Sequence, residues 1–180
     1  PEAGSGERSR GELPLAWLNS DQKAGEFARE LHARRQAWGP FNLVLGNFTE
    51  LWNVGTHAEP APVTAGIHAL SNHLLDTPWP KSIRAVRGIE RCLERHSVDM
   101  DGLLDLLDDR QPAPDEELPD TGVGRELESM LSAPFIVSER YGTRSSSALV
   151  LGSTMRMAER TFDPAGQIQG ERVFSWPRAS

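Results

Sequence analysis

The 180-residue sequence predicts one α/β domain, of the α+β kind, in which sheets pack on each other and helices cover the outside. Three observations carry this. Helical apolar periods fill the middle of the chain, strand-like runs punctuated by turn residues lie on both sides of them, and no internal repeat divides the sequence. A hydrophobic fraction of 38% and a charged fraction of 25% are those of an ordinary globular protein, and this length closes around one core spanning residues 1–180.

Taken in order, residues 1–8 have the Gly/Ser composition of a flexible loop. Gly11 to Leu18 reads as a short helix with Gly11 at its cap and Pro14 in the first turn, where a missing N–H costs nothing. From Ser20 as cap, Ala24, Phe27, Ala28, Leu31, Arg35 and Trp38 recur with helical period until Gly39-Pro40 stops them. Phe41–Gly46 and Leu51–Thr56 form a hairpin around Asn47, Phe48, Thr49 and Glu50. A third strand is expected from Pro62 to Leu70, with Pro60 and Pro62 confined to its start, running directly into Ser71-Asn72.

Trp79-Pro80 opens a long helix from Lys81 to Arg95, with Ile83, Val86, Ile89 and Leu93 as its apolar stripe. Asp99 caps a short helix through Leu103, Leu104, Leu106 and Leu107. Residues 109–122, with three prolines and a run of acids, read as an exposed loop, and a short helix follows at Gly124–Leu131. The remainder is an antiparallel meander: Phe135–Arg140, Arg144–Leu151, Thr154–Phe162 and Glu171–Trp176, with turns at Gly152-Ser153 and Asp163–Gly166. Ser145 to Leu151 is small or apolar at every position, which suits a strand covered on both faces.

Composition narrows the function. A net charge of −7 argues against nucleic acid as a partner, since phosphate binding uses clustered Lys and Arg. Arg34-Arg35 and the set Lys81, Arg84, Arg87 and Arg91 recur at helical spacing and read as solvated helix faces. Cys92 is the one cysteine, which rules out an internal disulfide and a cysteine zinc site and fits a cytoplasmic location. No apolar run approaches the roughly 18 residues a membrane span needs, so stable membrane insertion is not expected. The chain starts at Pro1 with no Met and is expected to begin within a longer sequence.

Phosphate loops, metalloprotease His pairs, EF-hands and nucleophile elbows are all missing from the sequence. Two polar clusters at strand edges stand out instead, since rigid sheets present functional side chains there. In the first, Ser71-Asn72 to Trp79-Pro80-Lys81, the Asn72 amide can donate to an oxyanion or ligand carbonyl, or it caps a turn beside a core Trp79. In the second, Tyr141-Gly142-Thr143-Arg144 leads into an apolar strand. A buried guanidinium there needs either an anionic ligand or a carboxylate partner. His68 and His73 are not at a recognised ligand spacing, and no metal site is expected.

These stretches, together with Arg10-Gly11-Glu12-Leu13, Gly39-Pro40-Phe41-Asn42-Leu43 and Leu75-Asp76-Thr77-Pro78-Trp79-Pro80-Lys81, occur in the order found in the transport and Golgi organisation protein 2 family. That family is also named for an Asn-Arg-Asp-Glu motif, and the resemblance covers nearly the whole chain. It implies the fold of N-terminal-nucleophile hydrolases, an αββα sandwich of largely antiparallel sheets. The first strands, the signature motif and a Cys nucleophile would precede Pro1. By the same resemblance Asn72 is an oxyanion-hole or substrate-amide residue and Arg144 tunes the nucleophile's charge. Ser71, Asn72, Trp79, Tyr141 and Arg144 are the expected ligand-contacting residues.

The function implied is intracellular small-molecule handling, with haem as cargo or an amphipathic acyl-lipid metabolite as ligand. The alternative is an N-terminal-Cys amide or thioester hydrolase, of which this chain alone would be inert. The sequence leaves the ligand and the oligomeric state open.

Overall fold

The computed structural model describes residues 8–94, 98–139 and 141–178. Of the expected elements, the loop before Arg8, the helix end at Arg95 and the strand end at Arg140 lie outside the described residues. The chain divides into two units, Pro1–Thr77 and Pro78–Ser180.

In the first unit, helix α1 (Glu12–Leu18) starts where Glu12 turns back on the chain before it. Its carboxylate accepts from Ser9 N at 3.3 Å and from Arg8 Nε at 2.9 Å, tying the preceding segment to the helix start. Helix α2 (Ala24–Ala33) begins later than a Ser20 cap would put it. Ser20 Oγ instead accepts from Gln22 N at 3.1 Å and closes a turn ahead of the helix. Helical period does not persist to Trp38 either. A 3₁₀ turn at Arg35–Ala37 intervenes, and Trp38 follows in extended conformation with its indole buried edge-on to Phe41.

Strands β1 (Asn42–Gly46) and β2 (Leu51–Gly55) form the expected hairpin. Asn47 Oδ1 builds the turn, accepting from Thr49 N at 2.8 Å and Glu50 N at 3.1 Å. The register pairs Leu43 with Val54 and Leu45 with Trp52, so these four side chains share one face. That face meets α2, and the core joins Leu13, Ala24, Ala28, Leu31, Trp38, Leu45 and Val54. The third strand is a correction: β3 is only Ala61–Pro62. Pro60 and Pro62 lack the N–H a longer ladder needs, and beyond Val63 the chain closes on itself, with Ala69 N donating to Asp76 Oδ1 and Asp76 N to Ala69 O.

In the second unit, α3 (Pro80–Glu94) has Ser82 and Gly88 as its buried positions, while Ile83 and Leu93 of the expected apolar stripe are exposed. The basic series on this helix is not simply solvated. Lys81 Nζ donates to Leu131 O at 3.0 Å, and Arg84 Nε lies 2.8 Å from Asp109 Oδ2 while its Nη2 donates to Gln111 O. Helix α4 (Met100–Leu106) is capped by Asp99, whose Oδ1 accepts from Gly102 N at 2.6 Å. The 109–122 loop is mostly exposed but anchors Ala113 and Leu118 in the interior, with Ala113 N donating to Ser132 Oγ at 2.7 Å. Helix α5 (Arg125–Leu131) follows.

The expected strand at Phe135–Arg140 does not form. One isolated bridge joins Val137 to Gly142, because Ser138 Oγ donates to Tyr141 O at 2.5 Å and folds the segment into a turn. Phe135 packs edge-on against Phe162 with ring centres 4.7 Å apart. Strands β4 (Ser145–Leu151), β5 (Thr154–Phe162) and β6 (Ile168–Pro177) make the antiparallel meander. The double coverage expected of β4 is also corrected. Burial alternates, with Ser146 and Ala148 buried and Ser145, Ser147, Leu149 and Leu151 exposed. Two antiparallel three-stranded sheets with helices make this an α+β protein, the class the sequence predicts.

Candidate functional site

Three short sequence features meet in the first unit: the end of the 3₁₀ segment, the start of β1 and the polar stretch after β3. Asn42 opens β1 on the face opposite the α2-packed residues. Its Nδ2 donates to Ser71 O and to His73 O, both at 2.9 Å, so one carboxamide uses both of its N–H groups to pin the 71–73 backbone to the sheet. Opposite Asn42 in the register stands Gly55, where an added Cβ would lie 2.5 Å from Asn42 Oδ1. Only a residue without a side chain leaves room for this arrangement.

The Ser71 hydroxyl donates to Asn72 Oδ1 at 2.8 Å. That bond commits the carbonyl end of the Asn72 amide and leaves Nδ2 as the donor end, with no partner among the described residues. Beside it is a cleft of about 340 Å³ lined by Arg10, Pro40, Phe41, Asn42, His57, Ser71, Asn72 and His73. Its size falls within the range of small-molecule sites. Among the described residues, the lining holds a guanidinium, two imidazoles, two carboxamides and a hydroxyl, and no carboxylate.

The loop carrying this pair is closed by a second lock. Asp76, in left-handed conformation at φ 61°, accepts from Ala69 N at 2.9 Å through Oδ1 and faces His68 Nδ1 at 2.7 Å through Oδ2. His68 Nε2 lies 3.0 Å from Thr64 O. Both ring nitrogens therefore face acceptors, a geometry that only the doubly protonated imidazolium satisfies in full. In keeping with this, the hydrogen bond to Asp76, then that to Thr64, raises the His68 pKa, and the His68 bond lowers that of Asp76. His73 Nδ1 lies 3.0 Å from Thr77 Oγ1, whose own proton goes to Leu74 O, so Nδ1 carries the hydrogen.

The remaining expected site residues belong to the second unit. Trp79 is half-buried and precedes α3, its carbonyl accepting from Ile83 N at 2.9 Å. Tyr141 is exposed at the turn with Ser138. Arg144 stands just before β4 and is exposed, with no side-chain hydrogen bond or ion pair among the described residues. The burial that would demand a partner for it is not found. Residues sequence reasoning did not single out are Arg10, Asn42 and His57. Arg10 and Asn42 sit in stretches legible only as resemblance, and an exposed His57 after a strand carries no pattern. Among the described residues no group of three or more His, Cys, Asp or Glu is placed to hold a metal ion, and no helix is long and apolar enough to cross a membrane.

Fold and cleft together define an α+β protein with a polar, ligand-sized cleft at a sheet edge. A family model described as Transport and Golgi organisation 2 matches residues 1–164, and the chain belongs to that family. The human Transport and Golgi organization protein 2 homolog is 29% identical over 160 residues, covering 80% of this chain and 58% of that protein. Its counterpart in Bos taurus is 27% identical over 166 residues, covering 84% and 60%, and the Mus musculus homolog is 25% identical over 159 residues, covering 80% and 58%. The chain thus spans about three-fifths of the length of these curated relatives.

Proposed function

We propose that this chain handles a small molecule at the cleft beside Ser71-Asn72, and that the ligand is haem as cargo or an amphipathic metabolite such as an acyl thioester. One observation carries this: the Asn72 amide is held by Ser71 with its donor end uncommitted, on a loop that Asn42 fixes to the sheet. A donor oriented before the ligand arrives loses little freedom on binding. Family membership supports the reading at the level of the family. Arg144 enters it as an exposed guanidinium of the second unit that is open to an anionic group. The cytoplasm is the compartment proposed, in line with a single cysteine.

The test is titration of the full-length protein with haemin and with palmitoyl-CoA, read by visible absorbance and by melting temperature. A saturable change that weakens about tenfold or more in Asn72→Ala is expected, as for loss of a well-placed hydrogen bond. No response to either compound overturns the proposal. Arg144→Gln, read in the same titration, tests Arg144 separately.

A second reading is hydrolysis of an amide or thioester, favoured by the same uncommitted Nδ2, which suits an oxyanion. The Ser71 hydroxyl donates to Asn72 Oδ1 rather than to either imidazole of the cleft, so the nucleophile would come from elsewhere in the full-length protein. Turnover of an acyl thioester that falls by roughly 10²–10³ in Asn72→Ala, and that thiol alkylation abolishes, is expected on this reading. Turnover indifferent to both excludes it.

A further inference from the structure

The cleft has an electrostatic character that the Ser71-Asn72 pair alone does not explain. The protein carries 26 Asp and Glu against 19 Lys and Arg, yet among the described residues no carboxylate lines this cleft. Among the described residues, the one Lys, Arg, Asp or Glu in its lining is Arg10. That guanidinium is held at a single point, Nη1 donating to Pro40 O at 3.1 Å, and its remaining N–H groups have no partner among the described residues. Neighbouring arginines behave differently: Arg8 is paired with Glu12 at 2.7 Å and Arg34 with Glu30 at 2.8 Å.

Arg10 is therefore tethered toward the cleft with no carboxylate paired to it among the described residues. A guanidinium with several open donors matches a planar or tetrahedral oxyanion better than any neutral group, and such bonds are about twice as strong as neutral ones. Asn72 Nδ2 adds a neutral donor, and His57, exposed and without a hydrogen bond among the described residues, adds an imidazole. Pro40 and Phe41 contribute apolar wall.

We infer that the cleft is a subsite for an oxyanion, a carboxylate or phosphate headgroup on an apolar chain, with Arg10 as its principal contact and Asn72 and His57 beside it. This rests on the small-molecule reading above and narrows it to anionic amphiphiles. It also assigns a role to the Arg10-Gly11 stretch, which the proposed function did not use.

The experiment compares three probes with one apolar chain and different heads: octanoate, octyl phosphate and neutral octanamide. Binding to the full-length protein is followed by amide chemical shifts. At least one anion is expected to shift residues 10, 57 and 71–73 and to bind about tenfold or more tighter than octanamide. Octanoate alone identifies a carboxylate source and octyl phosphate alone a phosphate source. Added salt should weaken the anions and spare octanamide. Arg10→Gln should bring the anions down to the octanamide level.

Equal binding of all three probes, shifts confined to other residues, or unchanged anion affinity in Arg10→Gln would overturn the inference. Should Arg10→Gln lower the melting temperature enough to cast doubt on its fold, His57→Gln replaces it, with several-fold weaker anion binding expected and no change overturning. Haemin or palmitoyl-CoA binding that is lost in Asn72→Ala but unaltered in Arg10→Gln removes the oxyanion subsite and leaves the small-molecule reading intact. Absence of any ligand response at 71–73 removes both.

Discussion

In the first unit the sheet gives its large side chains to the helix, with Leu45 and Val54 buried against α2 and Trp52 and Leu43 packed around them. The second sheet does the reverse. Its helix α4 sets Leu104 on the alanines Ala148 and Ala158, while Leu149, Leu151, Phe174 and Trp176 stand on the other face at 54%, 56%, 48% and 38% exposure. Arg160 shares the face covered by α4, with its side chain only 14% exposed, because Asp101, Asp105 and Glu171 all pair with it at 2.6–3.1 Å. Apolarity therefore does not report which face of a sheet is covered. Parity along the strand does, and parity is set by what the helix can approach: small residues where it comes close, and a cation where its own acids reach across.

The sharpest break of this comparison is truncation of Leu104, the fully buried large side chain of the α4–sheet cluster in the second unit. Leu104→Ala should cost about 2–5 kcal/mol in urea denaturation, whereas Leu149→Ala, though larger in exposed apolar area, should stay within about 0.5 kcal/mol. Equal effects would mean that the second sheet's open face is covered in the full-length protein.

Next come two helix glycines that meet different neighbours. A Cβ at Gly25 would lie 2.5 Å from the Trp52 ring, which is held by Glu50 at its Nε1 and by Arg29 over its face. At Gly88 the contact is the tip of Leu106, at 2.6 Å. Gly25→Ala should destabilise by about 1–3 kcal/mol because a fixed indole cannot yield. Gly88→Ala should be near neutral, since a Leu tip can rotate and Ala is favoured over Gly in a helix by about 1 kcal/mol. Thermal melts of the two variants decide this.

Asn42→Ala should remove about 1–2 kcal/mol through its two hydrogen bonds, and it should act locally. Faster hydrogen exchange at residues 71–73, with the core amides of β1 and β2 unchanged, is the expected result. A global loss of protection would show instead that Asn42 supports the sheet itself.

The smallest effect is electrostatic. His68 has its pKa raised above the ordinary 6.5 by Asp76, so its stabilisation is complete below 6.5 and is lost as pH rises through the raised value. Asp76 has its pKa lowered from 3.8 by His68, so its contribution holds above 3.8 and is lost as pH falls through the lowered value. Amide protection of residues 64–76 should accordingly be greatest between 3.8 and 6.5 and decline as pH rises through the raised His68 value. His68→Gln should abolish the decline at the high-pH side, and a wild-type profile flat from pH 5 to pH 9 would exclude the latch.

Local signals were legible wherever one residue performs its own chemistry. The Asp99 cap, the Asn47 turn and the β4–β6 meander all follow from side chains acting within a few residues of themselves. The third strand was misread because His68 and Asp76, eight positions apart, close a loop that competes with sheet pairing. Phe135–Arg140 failed in the same way, through Ser138 bonding to Tyr141. Of the candidate site, Ser71-Asn72 was visible as a pair, but its fixation by Asn42 spans 29 and 31 positions and has no local signature.

By itself, then, the sequence determined the mixed α+β class, most element positions and the family, because turn chemistry, periodicity and ordered motifs are properties of short segments. Tertiary structure alone decided which sheet face is covered, that Arg144 is exposed, and that Arg10, His57 and Asn72 share a cleft. Those facts depend on contacts between distant segments. The packing that makes them is selected by close approach and by the pairing of charge, neither of which is written in the pattern of any one element.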